Sequence, residues 1–369
     1  MHADAVVVGG GAVGSAAARR LAERGLAVVL LEQFEVGHRR GSSTGPTRIF
    51  RFAYPEPDYV ELAVRALDAW RRLEAAAGEQ LLVTTGGLDA GPEAELCADA
   101  LAACGARHEW LPAERFPWLS EPPGGRVLYH PDAGVCLAER TIAAQVRLAR
   151  AAGATVLERT AARGLSVDSD AVRVELADGE IEAPVAVVTA GAWASRLLAA
   201  AGRPLAIETT LTHVAYFRPR TSERLTTFVE TDAARPDWYA YVVPDGGTGA
   251  GVKVGQALGP LPVDADRGPF DVDGEWIERH VDYVRRRLPG LDPTPLSPET
   301  CLYAGTPDDD FVVDRQGPLV LGVGLGGHGF KFVPLLGELL AALAAGDEPT
   351  LPARFSASRP ALRATLGVR

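Results

Sequence analysis

The sequence predicts an α/β protein in which a Rossmann-like dinucleotide-binding domain is joined to a second domain built on a mixed sheet. Three observations lead to this fold class: a β-branched run that meets a glycine turn, a second apolar strand that ends in an acid, and a chain of 369 residues of which 47% are apolar. A chain of this length exceeds the usual single hydrophobic core and is expected to form two lobes.

The first predicted strand ends in glycines at GxGxxG spacing, and a helix is expected over residues 15–24. Gly9 permits a tight turn, and Gly11 lets the backbone approach a pyrophosphate at the helix N-terminus. Gly14 lets the helix and the strand pack closely. Val13 lies between the last two glycines and belongs to the same predicted cofactor site.

The second strand ends at Glu32, whose carboxylate would accept hydrogen bonds from a ribose, and Gln33 follows it. Strand, helix, strand and acid together form a βαβ unit of the expected length. A glycine-rich turn in an α/β protein that binds no nucleotide is the alternative interpretation. The motif does not distinguish FAD from NAD, because both place their pyrophosphate in the same turn.

Bulk composition narrows the class of ligand. A formal net charge of -11 argues against a broad nucleic-acid surface, which needs clustered Lys and Arg. The four cysteines lack CxxC spacing, so neither a metal site nor a disulfide scaffold is predicted. The apolar run 5–18 is punctuated by glycines and is interpreted as folded structure rather than a signal peptide. No run is long enough to span a bilayer, so a cytoplasmic protein with a small-molecule ligand is expected.

A polar loop, residues 41–47, leads to Arg48 and Arg51. A guanidinium is a planar fork of donors that matches a carboxylate, whereas two arginines on a solvated helix face are the alternative. Residues 41–54 resemble the Gly-Ser-Ser-His-Gly-x-Thr-Arg-x-x-Arg-x-Ala-Tyr segment of the family of monomeric sarcosine oxidase, N-methyltryptophan oxidase and pipecolate oxidase, in the D-amino-acid oxidase superfamily. The resemblance implies that FAD is the cofactor, that Arg48 lies against the flavin, and that Arg51 binds the substrate carboxylate. It also assigns three loop residues to the cofactor, namely Ser42, Ser43 and Thr44.

The resemblance covers nearly the whole chain, with gaps in the middle, and implies a D-amino-acid oxidase-like fold. It predicts a discontinuous FAD-binding domain of residues 1–79, 138–204 and 301–369, and a substrate domain of residues 80–137 and 205–300. Residues 165–176 alternate around a turn and predict a hairpin. A buried strand then leads to Trp193, which resembles the family's second FAD-contacting turn; a core aromatic is the alternative.

Residues 238–255 predict a strand, a glycine loop and a second strand that carries Lys253. Because side chains alternate along a strand, Lys253 should face away from the side of its valine neighbours. The resemblance implies that this lysine promotes the reaction of the reduced flavin with oxygen, through stabilisation of developing negative charge. A solvent-facing strand lysine is the alternative. Tyr241 matches the family's pocket tyrosine, with Tyr239 as a competitor.

Two C-terminal segments complete the predicted site. Cys301 begins a Cys-Leu-Tyr-Ala segment that resembles the family's Cys-x-Tyr-Thr, in which the cysteine forms a thioether to the flavin; a thiolate is the required nucleophile. Residues 327–331 read Gly-His-Gly-Phe-Lys, as in the family signature. The resemblance places Gly327, His328 and Gly329 at the flavin and Lys331 with the arginine on the substrate carboxylate. Lys331 would also contact the cofactor, where its charge would stabilise the reduced flavin. A structural turn residue is the alternative for His328.

The resemblance implies a monomeric FAD-dependent oxidase of N-methyl or cyclic amino acids that uses molecular oxygen and gives an imine and hydrogen peroxide. Two departures leave the substrate open: Thr44 stands where the sarcosine and N-methyltryptophan oxidases have a histidine, and Ala257 where sarcosine oxidase has another. A flavin-dependent amine dehydrogenase or a biosynthetic imine-forming oxidase is the alternative. A nucleotide-binding module without amine oxidation would leave Cys301 and the segment 327–331 unexplained.

Overall fold

The computed structural model describes residues 2–120, 122, 124–257 and 261–363, with the backbone alone for residues 236 and 237. Within these residues the chain forms seven α-helices and twenty β-strands. The helices are α1 Ala12–Glu23, α2 Pro57–Ala77, α3 Glu93–Ala103, α4 Ala138–Ala151, α5 Ala194–Ala200, α6 Gly274–Arg287 and α7 Val333–Ala345. The strands are β1 Ala5–Val8, β2 Val28–Leu31, β3 Thr47–Phe50, β4 Leu82–Thr84, β5 Gly87–Ala90, β6 Glu109–Pro112, β7 Arg126–His130, β8 Gly134–Leu137, β9 Thr155–Leu157, β10 Gly164–Val167, β11 Val172–Glu175, β12 Glu180–Ala183, β13 Ala186–Val188, β14 Glu208–Pro219, β15 Thr227–Asp232, β16 Arg235–Val243, β17 Val252–Ala257, β18 Leu291–Gly305, β19 Val312–Gln316 and β20 Leu319–Val323.

A six-stranded sheet in the order β19-β20-β13-β1-β2-β9 forms the first lobe, and all its pairs are parallel except β19 with β20. Alternate residues of β1 enter different cores. Val7 packs among the helices α1, α2 and α7, whereas Val6 and Val8 pack toward the antiparallel sheet β10-β11-β12. The nearly continuous apolar run of β1 is therefore explained by burial on both faces, as expected for a parallel strand.

Helix α1 begins three residues earlier than the sequence pattern predicted, at Ala12 rather than Ser15, and ends at Glu23. The glycine pattern concealed this start, because Gly14 is already helical and packs on the turn that contains Gly9. Glycine is unfavourable in most helix interiors, so propensity placed the boundary too late. The hairpin predicted over residues 165–176 is present as β10 and β11.

An eight-stranded mixed sheet in the order β18-β14-β17-β16-β15-β5-β7-β6 forms the second lobe. One face is covered by α6 through a core that includes Val252, Val254 and Val281. Lys253 lies on the opposite face, as the alternation along β17 predicted. This face of the sheet therefore looks toward the first lobe rather than toward the helix.

A further sheet has three strands in the order β3-β8-β4. Its β3 carries Arg48, which is opposite Cys136 on β8. The predicted division into two domains stays a prediction, since nothing in the topology alone fixes its boundaries. The predicted ranges also contain residues 1, 121, 123, 258–260 and 364–369, which lie outside the described part of the chain.

Within the described ranges, no helix combines the length and apolar character needed to cross a membrane. The same residues contain no group of three or more His, Cys, Asp or Glu side chains arranged to hold a metal ion.

Candidate active site

A cavity of about 580 Å³ opens at the carboxyl ends of the parallel strands, and we call it the glycine-turn cavity. It lies where Val8 and Leu31 end β1 and β2 and where Thr189 follows β13. Ligands of open parallel sheets bind at this edge, outside the carboxyl ends of the strands. The lining includes the predicted residues Gly9, Gly11, Val13, Glu32, Gln33, Ser42, Ser43 and Trp193.

Each of the three glycines of the turn is required for a different steric reason. Gly9 has a φ of +105°, which L side chains rarely adopt. A Cβ on Gly14 would lie 1.8 Å from the carbonyl oxygen of Gly9, so Gly14 lies between helix and strand and is not part of the lining of this cavity. A Cβ on Gly11 would meet only Ser43 Oγ, at 3.3 Å, which leaves the helix N-terminus open to the cavity.

Glu32 is 4% exposed and holds the turn from the neighbouring strand end. Its Oε2 accepts a hydrogen bond from the Gly10 amide at 2.9 Å, and its Oε1 accepts one from the Phe34 amide at 2.9 Å. Each oxygen keeps a further lone pair. The carboxylate is thus fixed at the edge of the cavity, with capacity to accept from a hydroxyl group.

Arg48 organises the polar loop that precedes it. Its Nη2 donates to the carbonyl oxygen of Ser42 at 2.8 Å and also to that of Thr44, and its Nη1 donates to the carbonyl oxygen of Thr47 at 2.8 Å. Ser43 in turn accepts a hydrogen bond from the Ala12 amide at 3.2 Å. The loop is therefore tied to the start of α1, and the alternative of arginines on a solvated helix is wrong for Arg48, which lies on β3.

A second cavity of about 890 Å³ adjoins the first and shares Gly326 with its lining; we call it the polar cavity. It lies between the open face of the eight-stranded sheet and the loop before α7. Its lining brings together predicted residues from four distant segments, namely Thr44, Arg48, Arg51, Tyr239, Tyr241, Lys253, Cys301, Gly327, His328 and Lys331. Gly329 lines neither cavity, because it packs against Leu325, whose Cβ would lie 2.6 Å from a Cβ at residue 329.

Two basic side chains, Arg51 and Lys331, both contact Tyr54. Lys331 is 2% exposed, and its Nζ donates to the Tyr54 hydroxyl at 2.7 Å and to the His328 carbonyl oxygen at 2.8 Å. The Arg51 guanidinium carbon lies 4.9 Å from the centre of the Tyr54 ring, and its Nη1 donates to Asp89 at 3.0 Å. The cavity wall therefore presents two basic side chains, one buried and one partly buried, that contact the same tyrosine.

Burial changes the protonation of these groups in predictable directions. Desolvation, helped by the positive charge of Arg51, lowers the pKa of Lys331 well below its ordinary value. Burial also lowers the pKa of Arg51, but Asp89 and other nearby groups, among them Tyr54 and Glu93, together outweigh it, and the pKa of Arg51 is raised. Arg51 is therefore a permanent cation, and an anion bound beside Lys331 would favour the charged form of that lysine.

Both ring nitrogens of His328 have polar partners within the protein. Its Nδ1 lies 3.2 Å from the Tyr54 hydroxyl, and its Nε2 lies 3.1 Å from the carbonyl oxygen of Asp309. Burial, together with the charge of Lys331, lowers the pKa of His328 to about 3. The ring is therefore neutral near pH 7, and because a carbonyl oxygen only accepts, its Nε2 carries the proton.

Lys253 is 5% exposed and extends from β17 into the polar cavity. Its Nζ donates to the carbonyl oxygen of Thr47 at 2.8 Å and lies 5.4 Å from the centre of the Tyr216 ring. Burial, and then the positive charge of Arg48, lowers the pKa of Lys253 well below its ordinary value. The alternative of a solvent-facing lysine is therefore wrong.

Cys301 lies on β18, opposite Thr212, and is a free, partly exposed thiol. Burial raises the pKa of Cys301, while the charges of Arg48 and Lys253 act in the opposite direction. Two residues further along the strand, the Tyr303 hydroxyl lies 3.4 Å from that of Tyr241. This pair contributes hydroxyl groups to the same cavity.

Trp193 is partly buried and lies at the rim of the glycine-turn cavity, so it is not a core aromatic. Its Nε1 donates to Asp266 at 2.7 Å, and its ring makes an edge contact with Phe34 at 5.6 Å. Its position beside the cavity is compatible with cofactor contact.

Sequence reasoning did not assign site roles to Tyr54, Tyr303 and Asp89. Tyr54 and Tyr303 both occur within segments that carried the resemblance, so position in the motif was the available signal. Asp89 had no such signal, because it lies on β5 between apolar neighbours. Its relation to Arg51 is created by the fold.

A glycine turn at the strand ends, an acid on the second strand and an adjoining cavity with buried cations define a dinucleotide-binding α/β enzyme. The chain belongs to the DAO family of FAD dependent oxidoreductases, whose sequence profile matches residues 4–343. FAD fits the described residues, because the N-terminus of helix α1 suits a pyrophosphate. The N-cap residue of this helix, Gly11, makes no side-chain capping hydrogen bond, and the first turn contains no acid. Gly9, Gly11, Glu32 and the loop with Ser43 would hold its nucleotide part.

Relatives of the chain are similar over almost their whole length. The monomeric sarcosine oxidase of Streptomyces avermitilis is 33% identical, over 92% of this chain and 93% of that protein. The N-methyl-L-tryptophan oxidase of Salmonella heidelberg is 30% identical, over 95% of this chain and 96% of that protein. Among solved structures, NikD, an unusual amino acid oxidase essential for nikkomycin biosynthesis, is 28% identical with a TM-score of 0.86, covering 96% of this chain and 97% of NikD. The L-proline dehydrogenase from P. horikoshii, at 22% identity, shares the fold, with a TM-score of 0.83 over 96% of this chain and 97% of that chain.

Proposed function

We propose that the protein is an FAD-dependent oxidase of small secondary-amine amino acids, with N-methyl or cyclic amino acids as the substrate class. The observation that carries the proposal is the pair of basic side chains, the partly buried Arg51 and the buried Lys331, that contact Tyr54 and line the polar cavity. A guanidinium and an ammonium together can hold one carboxylate in a fixed orientation. The sarcosine and N-methyl-L-tryptophan oxidase relatives agree with this substrate class.

FAD, when bound, would supply the redox chemistry, which is the transfer of two electrons from the amino acid to oxygen. Arg51 and Lys331 contribute by holding the carboxylate, so that the C–H bond beside the amine has one orientation in the cavity. The substrate loses a hydride equivalent and one proton, in total two electrons and two protons, and leaves as an imine, which water hydrolyses. Oxygen receives two electrons and two protons and leaves as hydrogen peroxide.

Lys253 is our candidate for promoting the reaction with oxygen. It is a buried lysine whose Nζ has one hydrogen bond in the described structure, to Thr47, so it has further donors for an anion. Negative charge that develops on oxygen next to this ammonium would be stabilised in a low-dielectric site. The same charge would favour the protonated lysine, against the effect of burial.

Cys301 is our candidate for a covalent bond to the flavin. Its support is its position on the cavity wall and the nearby Arg48 and Lys253, whose charges favour the thiolate and so oppose the effect of burial. Because burial still raises the pKa of the thiol, we expect attachment to proceed faster at alkaline pH. The free thiols agree with a reducing cytoplasm, and the relatives called monomeric agree with a monomer.

The first experiment is an absorbance spectrum of the purified protein before and after acid precipitation. Flavin colour in the pellet of the wild type but in the supernatant of Cys301→Ser supports covalent attachment. Cys104→Ser is the matched control, because this thiol lies outside both cavities, and its colour should remain in the pellet. Colour in the wild-type supernatant would remove the covalent bond and retain the flavoenzyme.

The second experiment is a peroxide-coupled screen of N-methyl and cyclic amino acids beside the matching amines without a carboxylate. We expect peroxide with amino acids alone, and loss of that preference in Arg51→Gln. Turnover with an artificial electron acceptor but not with oxygen would favour the dehydrogenase alternative. Bound flavin with no turnover of any amino acid would contradict the proposed function.

Thr44 and Ala257 bear on the choice within this substrate class. Both are smaller than the histidines of the resembled family at these positions, and Thr44 lines the polar cavity. We therefore expect amino acids bulkier than sarcosine to have the higher kcat/KM. A preference for sarcosine over cyclic amino acids would contradict this expectation.

A further inference from the structure

Two buried residues behind Arg51 form a chain of hydrogen bonds that leads away from the polar cavity. Asp89 Oδ1 accepts from Arg51 Nη1 at 3.0 Å, and Asp89 Oδ2 lies 2.7 Å from His130 Nε2. Asp89 is 4% exposed and His130 is 1% exposed. Of the three residues, Arg51 alone lines the cavity, so Asp89 and His130 are out of reach of a ligand in it.

The eight-stranded sheet determines this geometry. Strands β5 and β7 are antiparallel, with Gly87 directly opposite His130 and Asp89 opposite Leu128. Asp89 and His130 are therefore diagonal neighbours on one face, close enough for a long side chain to reach across. A Cβ on Gly87 would lie 2.6 Å from the His130 ring, so glycine makes room for the imidazole to lie over the strand and reach Asp89.

The direction of the hydrogen bonds follows from the chemistry of the groups. A carboxylate only accepts, so His130 Nε2 donates to Asp89, just as Arg51 Nη1 does. The contact with Arg51 is through Nη1, so the rest of the planar guanidinium remains directed elsewhere. Two strands of a sheet thus fix one end of the arginine fork and leave the other end toward the cavity.

Stability alone is a poor reason for this arrangement. A buried ion pair loses the hydration of both charges, and apolar residues of similar volume are often at least as stabilising. Arg51 follows the last residue of β3, and a free arginine side chain has many rotamers. Ordering such a side chain when a ligand binds costs affinity. A partner that orders it beforehand removes that cost.

We propose that Asp89 and His130 are positioning residues that hold the Arg51 guanidinium ready to bind the substrate carboxylate. The proposal depends on the proposed function, because Arg51 must be a carboxylate ligand for its orientation to matter. It assigns Asp89 a direct effect on Arg51 and His130 an indirect effect through Asp89. Both act on ligands that have a carboxylate and on no others.

The test is a double-mutant cycle on the flavin-loaded protein, read as the dissociation constant of benzoate from the change in flavin absorbance. Asp89→Ala should weaken benzoate binding about tenfold in the wild type, from the cost of ordering one long side chain and one charged hydrogen bond. In the Arg51→Gln background the same change should have less than about a twofold effect, since residues that act through one another are not additive. Benzamide, which lacks the charge, should bind equally to all four proteins.

Conservative variants separate geometry from folding. Asp89→Asn keeps an acceptor for Arg51 and should bind benzoate within about threefold of the wild type. His130→Gln keeps a donor for Asp89 and should also resemble the wild type, whereas His130→Phe should weaken binding about threefold. If Asp89→Ala does not fold, the comparison of His130→Phe with His130→Gln decides. Asp132→Ala removes a surface ion pair with Arg107 and is the matched control without effect.

The two proposals fail in different ways. If the wild type oxidises amino acids but Asp89→Ala and His130→Phe bind benzoate as the wild type does, the positioning role is overturned and the proposed function stands. The positioning role is also overturned if Asp89→Ala acts equally in the Arg51→Gln background, or equally on benzamide. If the wild type neither binds benzoate nor oxidises any amino acid, the proposed function fails and the positioning role with it.

Discussion

Two glycines of the same turn should respond differently to replacement by alanine: we expect Gly14→Ala to lower the stability of the protein and Gly11→Ala to lower its affinity for FAD. In Gly14→Ala the added Cβ would lie 1.8 Å from the Gly9 carbonyl oxygen and 2.5 Å from Thr189 Oγ1. The first contact is with backbone, which cannot rotate away, so helix α1 must move from the sheet. In Gly11→Ala the Cβ would meet only Ser43 Oγ, at 3.3 Å, and the backbone there has φ -67° and ψ -166°, which alanine adopts.

The magnitudes differ accordingly. Overpacking costs about 1–3 kcal/mol or more, and the helix propensity gained by replacing glycine returns up to about 1 kcal/mol. We therefore expect Gly14→Ala to lower the stability of the flavin-free protein by about 2 kcal/mol, or roughly 3 °C in Tm for a chain of this size. Gly11→Ala should cost less than about 1 kcal/mol, typical of a change at an N-cap. Its methyl group occupies the cavity, so its FAD affinity should fall about tenfold or more.

Both variants are best made in the Cys301→Ser background, so that flavin can be removed and added back. Tm of the flavin-free protein, from circular dichroism, measures the packing effect, and flavin fluorescence titration measures FAD binding. A flavin-free Gly14→Ala protein with the Tm of its parent would refute the close-packing argument. Gly11→Ala with unchanged FAD affinity would refute the assignment of the turn to the pyrophosphate.

Three further predictions follow from the polar cavity. Lys331→Met should raise the KM for an amino acid about tenfold or more in steady-state kinetics, because it removes one of two cations at the carboxylate, and a KM within twofold of wild type would contradict that role. Lys253→Met should slow the reoxidation of the reduced enzyme by oxygen about 100-fold in stopped-flow measurements, while the anaerobic reduction by substrate keeps its rate. Equal slowing of both steps would contradict a role of Lys253 in the oxygen reaction. The pKa of His328 is about 3 in the folded protein, whereas the unfolded chain binds this proton below about pH 6.5, so His328 makes stability fall as the pH falls through that window. We therefore expect the Tm of His328→Gln to drop less than that of the wild type between pH 7 and pH 5. An equal drop in Tm would contradict the depressed pKa.

Local patterns predicted the parts of the site that are made by neighbours in sequence. The turn of Gly9, Gly11 and Gly14 and the acid Glu32 could be placed at one sheet edge, because a βαβ unit fixes their relation. The direction of Lys253 followed from the two-residue period of a strand. The start of α1 was predicted three residues late, since propensity says nothing of the helix–sheet contact that makes Gly14 necessary.

The family resemblance predicted which distant segments would supply the polar cavity, and the structure brings those segments together. The contact of Lys331 with Tyr54 joins residues 277 positions apart, and Lys253 reaches Thr47 across 206 positions. Periodicity and spacing describe one element at a time, so they could not have placed these pairs. The roles of these residues in catalysis stay predictions until the variants above are measured.

The sequence by itself determined the dinucleotide-binding fold class, the family and the identity of the cations, because each depends on residues close together or on motifs read in order. The tertiary structure alone decided how those cations are held. Asp89 belongs to an apolar strand and His130 to the end of another, and only the antiparallel register of β5 and β7 places them together behind Arg51. Such a contact arises from sheet pairing, which no local pattern along the chain encodes.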